Sequence, residues 1–229
     1  MTSPGTSSEP HDGFEIRIDG RRPLSAETVT AVHALCDRVE GSASPRPAVV
    51  QVTGAPDPAA PRVVALALVN KWERALRRLE RLEVATVAVA TGDCGGIALE
   101  ALLATDYRLA TDTVRLLVPA GPSEVWPGMG LYRLANQIGV NGTRRSVLFG
   151  APIPATEALT LRLVDELVHS PAEGVTQAIA LLGPFTGAGL AVRRQLMLDA
   201  TTTSFEDALG RHLAACDRLL RQGASEVLS

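Results

Sequence analysis

The apolar positions of this 229-residue chain switch between two periods, and the switches lay out its elements. Phe14, Ile16 and Ile18 recur at every second residue, which predicts a strand over residues 14–19. Ser25 then stands as an N-cap. Val29, Val32, Leu35, Cys36 and Val39 follow at the spacing of one helical face, and residues 41–47 end that helix. His33 on it reads as a surface or boundary histidine rather than a catalyst. Residues 48–53 predict a second strand, and three prolines between Gly54 and Pro61 make a loop. Val64, Leu68, Trp72, Ala75, Leu76, Leu79 and Leu82 return to helical spacing, with the charged run 73–83 expected as the solvated face.

Residues 84–90 form a short β-branched run, suited to a strand buried on both faces. Gly92, Gly95 and Gly96 follow as a turn, and residues 97–105 are Ala- and Leu-rich without a breaker, as in a buried helix. Strand, glycine turn and helix start together make a ready anion site. The first N–H groups of a helix are free and carry partial positive charge, and glycine admits a ligand to the backbone. Glu100 sits one turn in, where its carboxylate can face whatever those groups hold. The same residues serve equally as a tight βα connection packed for steric reasons. They match neither the dinucleotide pattern G-x-G-x-x-G nor a phosphate loop. Asp93 in the turn is expected to cap the helix.

Further on, residues 107–110 and 114–118 predict strands, and residues 119–130 a Gly- and Pro-rich loop. Residues 131–138, 142–149 and 155–161 predict helices, and 164–168 a short strand. From 172 onward the pattern is helical, broken at Gly183-Pro184 and around Gly187–Gly189. Strands alternating with helices, then a helical tail, predict an α/β fold. The division is a disordered Ser/Thr/Pro/Gly-rich tail at 1–13, a core at 14–170 and a helical segment at 171–229.

Composition narrows the function. Hydrophobic residues make up 46%, enough for a sizeable core, and a net charge of −3 offers no nucleic-acid footprint. Aromatics at 3% leave little for base stacking. Cys36, Cys94 and Cys216 lie far apart, which argues against a zinc site or disulfide framework and fits a reducing cytoplasm. No leader and no membrane span is expected from the apolar runs. Lys71 is the only lysine, a bias that follows genome composition rather than mechanism.

Gly92, Gly96, Glu100 and Asp106 together resemble a pattern of the crotonase (enoyl-CoA hydratase/isomerase) superfamily. Pro119, Pro127, Gly128, Gly130, Arg133, Leu134 and Gly139 continue it, with one residue fewer before Gly139. Gly150, Ile153, Ala155, Glu157, Ala158, Leu163 and Val164 complete it. The resemblance covers about two-thirds of the chain, from residue 48 to 168. It implies a crotonase-like spiral of ββα repeats with a C-terminal helical trimerisation segment, and a homotrimer or hexamer. It also implies an acyl-CoA thioester as substrate, with coenzyme A arriving as part of that substrate and no separate cofactor or metal. Two backbone N–H groups would grip the thioester oxygen as it becomes an enolate, usually the largest electrostatic contribution to rate. By position one is the N–H of Ile97, beside Gly95 and Gly96, and the other lies near Val63.

The departures bear on the chemistry. A hydratase needs two glutamates in reach of the thioester. Glu100 holds the first position, but Pro119 is followed by Ala120, which cannot transfer a proton. Glu124, four residues on, either swings into the site or is a solvated loop charge, the second being favoured. Arg162 stands where the family has glycine. The short chain and the Cys-Gly-Gly-Ile-Ala variant resemble hydratase-like proteins of the dihydroxyphenylglycine pathway in glycopeptide antibiotic clusters. That resemblance implies a helper to a type III polyketide synthase, assisting dehydration and aromatisation to 3,5-dihydroxyphenylacetyl-CoA. The alternatives are a non-catalytic subunit binding the synthase or its product, and a plain hydratase of fatty-acid breakdown.

Overall fold

Three strands, β1 (Glu15–Asp19), β2 (Ala48–Gly54) and β3 (Thr86–Gly95), lie side by side and parallel, linked by α1 (Ala26–Glu40) and α2 (Leu66–Leu79). The computed structural model describes residues 14–58, 64–119 and 128–227. Alternation decides which side chains meet which layer. Ile18, Val50, Val52, Ala88 and Ala90 face α1, α2 and α3 (Ile97–Leu103), while Val49, Val87 and Val89 face α6 (Pro171–Leu182). Helices cover both faces of β3, so its first half carries almost no polar side chain.

The local chemistry of these elements is simple. Ser25 caps α1 by accepting the Thr28 N–H at 3.2 Å, and Val29, Val32, Leu35, Cys36 and Val39 form its buried face. Helix α2 buries Val69, Trp72, Ala75, Leu76 and Leu79. Beyond α3 come β4 (Tyr107–Ala110), β5 (Arg115–Leu117), α4 (Gly130–Phe149), β6 (Ile153–Pro154), α5 (Ala155–Thr160) and β7 (Glu166–Leu167). The main path of the sheet runs β1-β2-β3-β4-β7. Gly139, at φ 73 and ψ 164, breaks α4 between the two helices that the sequence predicts there.

β3 outruns its apolar segment and serves two sets of partners. Residues Val87 to Ala90 pair with β4, and Asp93 to Gly95 pair with β5, which in turn takes β6 antiparallel. The register with β2 jumps from Thr53↔Thr91 to Gly54↔Cys94, and Gly92 lies in the jump with φ +60. The expected glycine turn is thus a bulged continuation of the strand. Asp93 moves with it. Instead of capping α3, its two carboxylate oxygens accept the Nε–H and an Nη2–H of Arg115, at 2.7 and 2.8 Å.

The C-terminal helices α7 (Ala188–Asp199) and α8 (Phe205–Val227) follow α6. Arg194 ties α7 to the core. It donates to both oxygens of Asp106 at 2.5 and 2.6 Å, and to the carbonyls of Glu80, Leu82 and Val84. Asp106 also accepts the Thr86 N–H and hydroxyl at 2.8 and 2.9 Å, so this carboxylate is a structural tie.

Arg194→Ala strips the donor from Asp106 and three carbonyls, and is expected to cost about 3–5 kcal/mol in urea unfolding. A loss under about 1 kcal/mol, the range of an exposed pair, would contradict that role. Arg162 adopts φ 60, a left-handed conformation that costs a side-chain-bearing residue about 1–2 kcal/mol. After the entropy that glycine adds to the unfolded chain, Arg162→Gly is expected to raise the thermal midpoint by about 1–3 °C. A lower midpoint would show that Arg162 makes contacts worth more than its strain.

Candidate functional site

Helix α3 is seven residues long, and all seven are buried. Gly96 precedes it with φ 56 and ψ −131, a conformation that side-chain-bearing residues resist, and no side chain caps the helix. The first N–H groups of a helix, here beginning with Ile97, have no acceptor inside it. Ile97 borders a cleft of about 590 Å3 at the end of β1, lined also by Asp19, Arg22, Ser25, Thr28, Thr53 and Thr91. Gly95 and Gly96 are buried beside it, and Pro119 is half-buried past the end of β5. Hydrogen bonds from Arg21 hold the Asp19 carboxyl below its ordinary range.

Glu100 is turned toward α2 and α4 and is only 2% exposed. Its Oε2 accepts the indole N–H of Trp72 at 2.8 Å, and its Oε1 accepts the N–H of Gly130 at 3.2 Å. The backbone of Gly128 passes so close that a Cβ there would lie 1.7 Å from Oε1. A buried carboxylate needs such donors, since leaving it bare would cost several kcal/mol.

Two more carboxylates stand around the start of α4. Glu73 accepts the Met129 N–H at 3.0 Å. Arg133 donates to Glu73 and to Glu80, each at 2.9 Å, with its side chain 8% exposed. This corrects the solvated reading for Glu73 and Glu80, while Arg74, Arg77, Arg81 and Glu83 of the same run are exposed as expected. Glu73 and Glu80 lie seven residues apart, close to two helical turns, so they share a face, and that face meets α4 instead of water. Arg78 of the same run pairs with Asp37 and Glu40 of α1 at 2.6 and 2.5 Å. Sequence reasoning missed Trp72, Glu73 and Arg133 as neighbours of the site. The signals were a tryptophan at a core position, whose N–H needs an acceptor when buried, and two glutamates in register beside it.

Val63, Ala120 and Glu124 lie outside the described residues. Cys36 and Cys94 are fully buried, and burial pushes the Cys36 thiol up to about 11 and the Cys94 thiol further in the same direction, the setting of a structural thiol. Among the described residues, no three His, Cys, Asp or Glu side chains are arranged to hold a metal, and no helix is long and apolar enough to cross a membrane.

Comparison with known proteins gives a consistent picture. The profile described as enoyl-CoA hydratase/isomerase matches residues 66–226. A protein of Amycolatopsis orientalis described as an enoyl-CoA-hydratase is 49% identical over 214 residues, 92% of this chain and 97% of that one. Among solved structures, an enoyl-CoA hydratase/isomerase from Marinobacter aquaeolei superposes with a TM-score of 0.74 at 18% identity, covering 93% of this chain and 90% of the other. A putative enoyl-CoA hydratase from Thermobifida fusca YX in complex with acetoacetyl-CoA superposes with a TM-score of 0.70 at 20% identity, covering 93% and 94%. At those identities the structures attest the fold.

Two measurements check the geometry. Glu100→Gln sets an NH2 group against an N–H donor and is expected to cost about 1–3 kcal/mol in urea unfolding; an unchanged midpoint would mean the carboxylate is not held as described. A thiol reagent is expected to label Cys216 in the native protein, and Cys36 and Cys94 only after unfolding; rapid native labelling of either buried thiol would contradict the packing around it.

Proposed function

Since the chain belongs to the enoyl-CoA hydratase/isomerase family, we propose that it binds an acyl-CoA thioester and acts on it as a lyase or isomerase. The thioester oxygen lies at the Ile97 N–H, and Glu100 is the proton-transferring carboxylate. The observation that carries this reading is the junction at Gly96. It opens a buried helix without a side-chain cap, and Ile97, the first residue of that helix, borders the cleft. Donors fixed in this way stabilise an enolate oxygen without having to reorganise. The acetoacetyl-CoA and CoA complexes of the Thermobifida fusca protein support the ligand class.

For the acyl group we propose a polyketide-derived chain, dehydrated and aromatised to 3,5-dihydroxyphenylacetyl-CoA in support of a type III polyketide synthase. Ala120 in place of a second glutamate supports it. One carboxylate suffices to move a proton beside a thioester or to expel water from a primed substrate, whereas hydration of a simple enoyl group uses two. A second reading, a non-catalytic subunit that holds the synthase or its product, draws on the burial of Glu100 and the donors already occupying it. Assembly into a trimer or hexamer is part of the proposal. Val140 and Phe149 on α4 and Phe205 and Leu213 on α8 are exposed at 68%, 76%, 75% and 58%, large apolar side chains of the kind that association would cover.

Adding the protein to a purified type III polyketide synthase separates the two readings. A catalytic role gives full effect at substoichiometric amounts, and a binding role saturates near one to one. Under the catalytic reading Glu100→Gln, confirmed as folded, lowers turnover by about 10²–10⁴-fold. Retention of wild-type rates would remove Glu100 from the chemistry. Rapid hydration of crotonyl-CoA would instead mark a plain hydratase.

A further inference from the structure

The acyl-CoA reading leaves open how a single carboxylate is aimed, and the residues around Glu100 answer that. Resting on that reading, we propose that Trp72 and Gly128 are the positioning residues of Glu100. Trp72 fixes one carboxylate oxygen, and the bare backbone at 128 leaves room for the other.

Three observations carry the proposal. Trp72 is fully buried in α2, and its indole N–H donates to Glu100 Oε2 at 2.8 Å. The second oxygen meets the Gly130 N–H at 3.2 Å. A side chain at 128 would overlap Oε1, with its Cβ 1.7 Å away, and a Cβ at 130 would lie 3.3 Å from Glu100 Cγ. The two glycines therefore shape the seat and the indole orients what sits in it. The start of α4 that carries this wall is itself held, because Glu73 accepts the Met129 N–H and Arg133 links Glu73 to Glu80.

The consequence concerns proton transfer. A glutamate side chain free to rotate spends its time in several rotamers, and freezing one of them has an entropic cost. Held by α2 on one oxygen and α4 on the other, Glu100 meets that cost on folding rather than during reaction. A proton acceptor aimed in advance raises turnover without tightening substrate binding. In the step itself, a C–H bond next to the thioester breaks, its electron pair moves onto the thioester oxygen as an enolate, and the proton goes to Glu100. Return of a proton or deuteron to carbon restores the thioester.

The test follows exchange of the α-protons of butyryl-CoA in deuterated water, together with the Trp72 indole N–H resonance, assigned by its loss in Trp72→Phe. Trp72→Phe keeps an aromatic ring in the core but removes the donor. It is expected to lower kcat about tenfold while KM stays within about twofold. Gly128→Ala, which pushes on the carboxylate without touching the indole, is expected to lower kcat at least as far, again with KM nearly unchanged. The indole resonance is expected to move in Glu100→Gln relative to the wild type, and in the wild type on adding butyryl-CoA. Wild-type kcat in both Trp72→Phe and Gly128→Ala would overturn the proposal, as would an indole resonance indifferent to Glu100→Gln. A wild-type protein that exchanges no α-protons, yet whose indole resonance responds to Glu100→Gln, would sustain the seat and sink the proton-transfer reading instead, so the two failures are distinguishable.

Discussion

The start of α4 has no cap of its own, and the neighbouring helices are arranged around that deficit. Met129 stands at the N-cap position and offers no side-chain acceptor. The first N–H groups of a helix need acceptors and favour negative charge. Glu73 from α2 takes the Met129 N–H, and Glu100 from α3 takes that of Gly130. One need is thereby met by two carboxylates that could not be buried without donors. The pairing fixes the distance between three helices, and Trp72 and Arg133 supply further donors.

The same logic recurs in the buried arginines. With so few aromatic side chains in the chain, long cationic ones fasten segments that end inside the fold. Arg194 gathers Asp106 and three carbonyls from the connection before β3. Arg108 donates to the carbonyls of Leu103 and Thr105 and to Gln137, joining the end of α3 to α4. Burial lowers its pKa to about 10, still far above neutrality, so it remains a cation and a full donor. Each arginine satisfies backbone carbonyls that a short, buried helix or turn would otherwise leave bare.

These ties bear on function by making the site stiff. The backbone at Gly96 and the carboxylate of Glu100 lie one turn apart on a helix too short to bend, with both neighbouring helices locked against it. Under the proposed acyl-CoA reading, such a frame suits proton transfer at a fixed distance from the Ile97 N–H.

The sequence by itself determined the elements whose signal is local. The two-residue and three-to-four-residue periods placed β1, α1, β2, α2 and β4, and the Ser25 cap and the break at Gly139 followed from single residues. Spacing of glycines and acids nominated Gly96, Ile97 and Glu100 together, whereas the cleft bordered by Ile97 is not lined by Glu100, whose carboxylate meets Trp72 and Gly130. Tertiary structure decided what depends on partners distant in the chain. Asp93 left its expected cap because β3 continues to Gly95, where β5 offers a partner for three more residues. Glu73 and Glu80 turned inward because Arg133, more than fifty residues away, faces them. Whether Glu100 faces a cleft or the indole of Trp72 has no signature in the spacing of α3. A helical period fixes which residues share a face, and only the packing of other segments fixes what that face meets.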